Sequence, residues 1–162
     1  MNENKEIIFK IQNLRTWFPI TKGAFKKVVG HVKAVDDVSL DVYKGETLGI
    51  VGESGCGKST FGKTVMMLER ATGGQVLFNY DGEFRDITKF NKQEMFDFRK
   101  KVQMVFQDPY SALNPQKKIY TSFEEPLKVH GMHDQSERES RMQEVLKMVN
   151  IQPDYLMRYP HE

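Results

Sequence analysis

Eight consecutive residues, Gly52-Glu53-Ser54-Gly55-Cys56-Gly57-Lys58-Ser59, constrain this chain more than any other stretch. They meet every fixed position of the phosphate-loop pattern G-x-x-x-x-G-K-[ST]. Before them runs Glu46-Thr47-Leu48-Gly49-Ile50-Val51, short and apolar, which reads as a buried parallel strand. After them, Thr60 to Leu68 reads as a helix. Strand, glycine loop and helix in that order give the motif its physical sense. Glycines let the backbone turn tightly about a phosphate chain with their N–H groups aimed inward. The new helix adds unpaired N–H groups and the positive end of its dipole. Lys58 supplies a point charge for the outer phosphates, and the Ser59 hydroxyl suits Mg²⁺. A glycine turn that binds nothing is the competing reading, and the complete motif with both flanks argues against it.

The loop specifies a nucleotide but not a reaction, because many chemistries share it. Composition narrows the field. The chain has 162 residues, 39% hydrophobic and 28% charged, enough for one soluble domain with a core. A net charge of +2 implies no strong field for nucleic acid. No apolar run is long enough to cross a bilayer. The polar start Met1-Asn2-Glu3-Asn4-Lys5-Glu6 lacks a signal-peptide core. The single cysteine, Cys56, excludes an internal disulfide and suits a reducing compartment.

Along the chain, Ile7 to Leu14 reads as a strand and Lys22 to Gly30 as an insertion or hairpin loop whose lysines are most simply a solvated surface, with contact to a phosphate or an anionic membrane as the weaker alternative. Val32 to Val42 alternates as a half-buried strand. Ala71-Thr72-Gly73-Gly74 ends the loop helix, Gln75 to Tyr80 is a strand, and Asp81-Gly82 a turn. Asn91 to Lys101 is a polar helix, and Lys101 to Phe106 a buried strand. Gln107 to Pro115 interrupts regular structure with two prolines. Beyond it the chain turns helical: Ser136-Glu137-Arg138-Glu139 fits a capping box, and Met142, Val145, Leu146 and Val149 fall at helical spacing. Met132, Met142, Met148 and Met157 read as core filler. His130, His133 and His161 have no metal-ligand spacing.

Three stretches resemble the ATP-binding cassette family, the ATPase subunits of ABC transporters. Lys33-Ala34-Val35-Asp36-Asp37-Val38-Ser39-Leu40 with Gly45-Glu46-Thr47 looks like the family's lead-in to the loop, Gly52 to Ser59 like its Walker A, and Val105-Phe106-Gln107-Asp108-Pro109 like its Q-loop. The longer run from Phe106 to Pro115, and the final Arg158-Tyr159-Pro160-His161-Glu162, resemble the oligopeptide and dipeptide importer branch. The likeness covers essentially the whole chain. It implies an α/β fold: a P-loop NTPase cassette with an antiparallel β subdomain, an incomplete RecA-like core and the start of a helical subdomain. On that reading residues 1–115 carry the β subdomain and the core through the Q-loop, and residues 116–162 a partial helical subdomain.

The resemblance also implies roles. Gly52, Glu53, Ser54, Gly55, Cys56, Gly57, Lys58, Ser59 and Thr60 would bind ATP, with Ser59 and Gln107 at Mg²⁺. Lys58 and Gln107 would serve hydrolysis, Gln107 sensing the metal and the attacking water. Partners would be transmembrane permease subunits and a second ATPase subunit, identical or related, at the cytoplasmic face of the cell membrane, with no nucleic acid. Phe123, Leu127 and Val129 either join a permease-docking groove or simply pack the helices, and packing has the stronger claim. The family stacks an aromatic on adenine. Counting back from the lead-in strand reaches Val29, which is not aromatic, and Trp17, Phe18 and Phe25 lie nearby, so that contact stays open. Cys56 could carry a reactive thiol at a helix start, but its backbone alone explains its place.

In the family, Tyr-Pro-His-Glu is followed by the LSGGQ signature, Walker B and a switch histidine. None of these is present among the 162 residues. The expectation is an N-terminal part that binds nucleotide weakly and hydrolyses it little or not at all by itself. Two other readings stand beside it: a small P-loop phosphotransferase, and a non-hydrolytic module that binds nucleotide or permease.

Overall fold

The computed structural model describes residues 5–108 and 113–162. The chain divides into two compact units, Met1–Met104 and Val105–Glu162.

The first unit is built on a four-stranded antiparallel sheet in the order β2-β1-β3-β4. Its strands are β1 (Ile7–Lys22), β2 (Lys27–Tyr43), β3 (Gly73–Tyr80) and β4 (Glu83–Asp86). Alternation along β1 sends Phe9, Ile11 and Leu14 into the core, as a period of two requires. They meet Val35 of β2 and Val76 and Phe78 of β3. β1 and β2 run past the expected limits, so the insertion is mostly strand and its turn only Gly23 to Lys26. β3 likewise begins at Gly73, and the glycines assigned to the end of the loop helix belong to the sheet. Gly74 has φ +77, and a Cβ there would meet the Asn13 carbonyl oxygen at 2.3 Å, so only glycine lets β3 approach the bulge in β1.

Two helices pack on this sheet. α1 (Lys58–Val65) buries Phe61 among the sheet's apolar residues. Its Thr64 hydroxyl meets the Thr16 hydroxyl of β1 at 2.9 Å in a buried contact, and Thr64 Oγ1 donates to the Thr60 carbonyl at 2.8 Å. α2 (Lys92–Lys101) starts at Asn91, whose side chain accepts from the amides of Gln93 and Glu94 while Glu94 accepts from the Asn91 amide, a full capping box. Phe98 of α2 closes an aromatic cluster, 5.4 Å from Phe78 and 6.4 Å from Phe9 between ring centres.

Two expected buried strands are not formed. Residues 46–51 and 102–106 join no ladder, and Val51 and Val105 are 92% and 90% exposed. A strand exists only where a neighbour supplies hydrogen bonds along its edge, and none of β1 to β4 pairs with either segment. The apolar pattern encodes a preference for burial but cannot supply that neighbour.

The second unit contains α3 (Ile119–Val129), α4 (Gln135–Met148) and a short 3₁₀ turn, Pro153–Met157. Met142, Leu146 and Leu156 form its core, with Ile119, Tyr120, Phe123 and Leu127 packed against them. α4 is capped by Asp134, whose carboxylate accepts from the Glu137 amide at 2.8 Å, and Ser136 lies inside the helix, so the expected capping box is displaced. The buried Arg138 guanidinium donates to the carbonyls of Met132 and His133 at 3.1 and 2.6 Å and to Glu124 of α3 at 3.2 Å. Of the methionines read as filler, Met142 is buried, whereas Met148 and Met157 face solvent. Pro109, the last residue of the run read as a Q-loop, and Tyr110, Ser111 and Ala112 of the longer importer-like run lie outside the described residues.

Candidate functional site

The glycine loop owes its shape to what lies on either side of it. α1 is anchored to the sheet through Phe61 and the Thr64–Thr16 contact, so the first turn of the helix has a defined place. Gly57 is the residue before the helix, with φ 95° and ψ 2° in the left-handed region. Its carbonyl accepts from the Phe61 amide at 2.8 Å, which opens the helical ladder. A Cβ on Gly57 would lie 2.0 Å from the Ala34 carbonyl oxygen of β2. Glycine is therefore required twice at this point, for the torsion and for the approach of the loop to β2. Upstream, the Cys56 amide donates to the Glu53 carbonyl at 3.3 Å and tightens the turn.

Lys58 closes the loop upon itself. Its ammonium donates to the carbonyl oxygens of Gly52 at 2.8 Å and Glu53 at 2.6 Å, with the Cys56 sulfur at 3.6 Å. A flexible cation is thereby held over the loop by groups that a phosphate oxygen can replace. The amides of Lys58, Ser59 and Thr60 belong to the first helical turn and have no intrahelical acceptors. With the dipole of α1 they make this point favourable to an anion. The Ser59 side chain is exposed there.

Gly55 to Thr60 and three residues of β2, Val32, Lys33 and Ala34, line a cleft of about 310 Å³. An adjoining cleft of about 390 Å³ is more apolar, bounded by Val35, Val38 and Leu40 of β2, by Ile50 and Val51, and by Phe61. Both lie in the range of small-molecule sites. The β2 wall is the part that motif reading missed. Its only signal was the position of Ala34, a small residue in the lead-in strand.

β2 is in turn pinned to β1. The Asp37 carboxylate accepts from the Asn13 amide group at 3.0 Å and from Arg15 at 3.3 Å. The Asn13 hydrogen bond, with help from Arg15, holds the Asp37 carboxyl below its ordinary range. Trp17 is committed nearby: its indole N–H donates to Asp36 at 3.0 Å, and Lys33 lies 4.5 Å above its ring. Phe18 stands opposite Val32, one of the residues lining the loop cleft, in the β1–β2 register. Phe25 is at the hairpin turn, beyond Val28 and about 13 Å or more along the strand from Val32. Of the predicted site residues, Gly52 to Thr60 are thus one contiguous structure, whereas Gln107 is an exposed residue of the second unit.

A glycine loop against an antiparallel sheet, with a lysine folded across it, is an arrangement that suits a phosphate-bearing ligand. The chain belongs to the ABC transporter family, whose sequence profile matches residues 35–160. The oligopeptide transport ATP-binding protein AppF of Bacillus subtilis (strain 168) is 45% identical over 160 residues, which cover 98% of this chain and 47% of AppF. The glutathione import ATP-binding protein GsiA of Escherichia coli (strain K12) is 40% identical over 157 residues, 97% of this chain and 25% of GsiA. The chain spans about half the length of AppF and of the similar OppF proteins. Among solved structures, a dimeric ATP-binding cassette in a post-hydrolysis state with ADP and phosphate superposes with a TM-score of 0.70 at 24% identity, over 95% of this chain and 62% of that one. That likeness shows the fold: an α/β P-loop cassette.

Proposed function

We propose that this chain is the nucleotide-binding portion of an ATPase subunit serving an oligopeptide-type importer. The observation that carries the reading is the cradle itself: Gly57 seated against Ala34, with the Lys58 ammonium held at the loop carbonyls. The donor set fits a polyphosphate, since it combines helical amides, a cation and a hydroxyl, and no Asp or Glu is among the residues lining the cleft of Gly55 to Thr60 and Val32 to Ala34. Gly52, Glu53, Ser54, Gly55, Cys56, Gly57, Lys58, Ser59 and Thr60 hold the phosphates. The Ser59 hydroxyl would serve as the Mg²⁺ ligand on the loop, and the family resemblance gives Gln107 a role toward the metal and the attacking water. ATP supplies the phosphoryl group whose transfer to water releases the free energy for transport. The chain's own part is to hold and orient the phosphates and to offset charge on them.

Phe18 is the aromatic best placed for the adenine ring, supported by its register position opposite Val32. Residues 1–115 form the nucleotide-binding part and residues 116–162 the beginning of a helical subdomain that meets the permease. The likeness to AppF and OppF supports peptides as cargo and a membrane permease as partner, and the dimeric cassette supports pairing with a second ATPase subunit. Such a subunit works at the cytoplasmic face of the membrane, and among the described residues no helix is long and apolar enough to cross it.

The 162 residues contain no Leu-Ser-Gly-Gly-Gln run, so the chain alone binds Mg-ATP and turns it over slowly. Equilibrium binding of a fluorescent ATP analogue and single-turnover hydrolysis test this. Binding that needs Lys58, with little hydrolysis, is expected. Rapid hydrolysis by the chain alone would refute the slow-turnover reading. Phosphate transfer to a small acceptor would instead mark a phosphotransferase.

A further inference from the structure

The β1–β2 ribbon extends past the rest of the sheet. β3 pairs with β1 only from Phe9 to Arg15, so the ribbon beyond that point has no third strand. Every residue from Phe18 to Val29 is exposed. At the turn, Lys26 donates its amide to the Gly23 carbonyl at 3.1 Å, and Phe25 projects with 98% of its surface exposed. Ile20, Val28, Val29 and Val32 are also exposed along the ribbon. Scattered exposed apolar residues need no explanation, but a bare aromatic at a hairpin turn followed by an apolar stretch is a surface built for contact.

Its charge is one-sided. Between Glu6 and Asp36 the chain has no Asp or Glu, whereas Lys22, Lys26, Lys27 and Lys33 lie on the ribbon. Lys22 stands directly opposite Lys27 in the register. Like charges facing each other across two strands destabilise the pair, and here no third strand shares the load. An anionic surface relieves that repulsion and at the same time offers Phe25 an apolar layer to enter. A bilayer with anionic headgroups combines both properties over a broad surface.

We propose that the tip of the β1–β2 ribbon docks on an anionic lipid surface, with Phe25 entering the headgroup boundary and Lys22, Lys26 and Lys27 contacting lipid phosphates. Such contacts are individually weak and additive, and they are screened by salt. The ribbon tip, Lys22 to Lys27, is distinct from the cleft wall at Val32 to Ala34, so lipid docking there stands or falls independently of nucleotide binding.

The test is cosedimentation of the full chain with vesicles of phosphatidylcholine alone and of phosphatidylcholine mixed with phosphatidylglycerol. Binding to the mixed vesicles only, falling as salt rises, is expected. The triple substitution K22E/K26E/K27E lowers it by about tenfold or more, and Phe25→Ser by about fivefold. Unchanged thermal melting of both variants is the folding control. Absence of binding to the anionic vesicles, or binding indifferent to both variants, overturns the proposal. Equal dependence on the lysines with no dependence on Phe25, together with equally tight binding of heparin or RNA, overturns it in favour of a soluble polyanion.

Discussion

Gly57 and Ala34 approach so closely that the place of a Cβ on Gly57 lies 2.0 Å from the Ala34 carbonyl oxygen. This contact joins two parts of the chain that sequence reading treats separately, the glycine loop and the strand leading toward it. The loop is shaped from both ends: α1 fixes its exit, and β2 fixes how far it can move toward the sheet.

Substituting Gly57→Ala therefore forces either the loop or β2 to move, in addition to straining a backbone with φ 95°. The expected cost is about 2 kcal/mol or more in stability, with binding of a fluorescent ATP analogue weakened at least about tenfold, roughly 1.4 kcal/mol. Chemical denaturation and titration of the analogue measure the two effects separately. A variant that binds ATP like the parent would show that the contact with β2 is dispensable.

Lys58→Ala removes the cation while leaving Gly52 and Glu53 carbonyls that water can reach. Stability should change by less than about 1 kcal/mol, whereas nucleotide affinity should drop about tenfold or more, since a charge-assisted contact to phosphate is lost. Lys58→Arg should not restore it, because the planar fork is larger than an ammonium seated between two carbonyl oxygens 2.8 and 2.6 Å away.

Two aromatic rings of β1, Trp17 and Phe18, are expected to behave differently. Phe18→Ala should weaken ATP by about 1 kcal/mol or more through lost stacking, while Trp17→Ala, whose ring is held by Asp36 and Lys33, should alter ATP affinity less. Comparing ATP with inorganic triphosphate isolates the base: the Phe18 effect should vanish for the triphosphate.

The buried Thr16–Thr64 pair offers a double-mutant cycle. Thr64→Val leaves the Thr16 hydroxyl buried without its partner and should cost about 1–3 kcal/mol. Adding Thr16→Val should recover part of that loss, because both polar atoms are then gone. Simple additivity in denaturant melts would show that the two hydroxyls do not depend on each other.

Acid should loosen the second unit through Glu124. A hydrogen bond from Lys128, with support from Lys128 and Arg138 charges, holds the Glu124 carboxyl below its ordinary value of 4.5. A carboxyl whose folded pKa is lowered contributes stability that is fully present above its unfolded pKa and lost as pH falls through the folded value. The helical signal of α3 and α4 should thus fall as pH drops below about 4.5, and Glu124→Gln should flatten that limb of the melting curve. An unchanged acid limb in Glu124→Gln would assign the loss to other carboxylates.

Much of this molecule was legible in advance where the signal is local. The loop, the turn at Asp81-Gly82 and the helix starting after Asn91 depend on residues within a few positions of each other. Boundaries were less legible: α1 ends at Val65, with Met66 as its C-cap and Met67 in the left-handed region at φ 54°, whereas Gly73 and Gly74 belong to β3. The start of α4 was likewise displaced: Asp134, whose carboxylate accepts from the Glu137 amide, is its cap, and Ser136 lies inside the helix.

By itself the sequence determined that a glycine loop is followed by a helix and bears Lys58 and Ser59, because torsional freedom, helical amides and side-chain chemistry are properties of neighbouring residues. The tertiary structure alone decided that β2 forms the opposite wall, that Phe18 rather than Phe25 stands beside that wall, and that 46–51 and 102–106 form no ladder. Those outcomes depend on which distant segment supplies a surface or a hydrogen-bonding edge, and a local pattern holds no record of its partner.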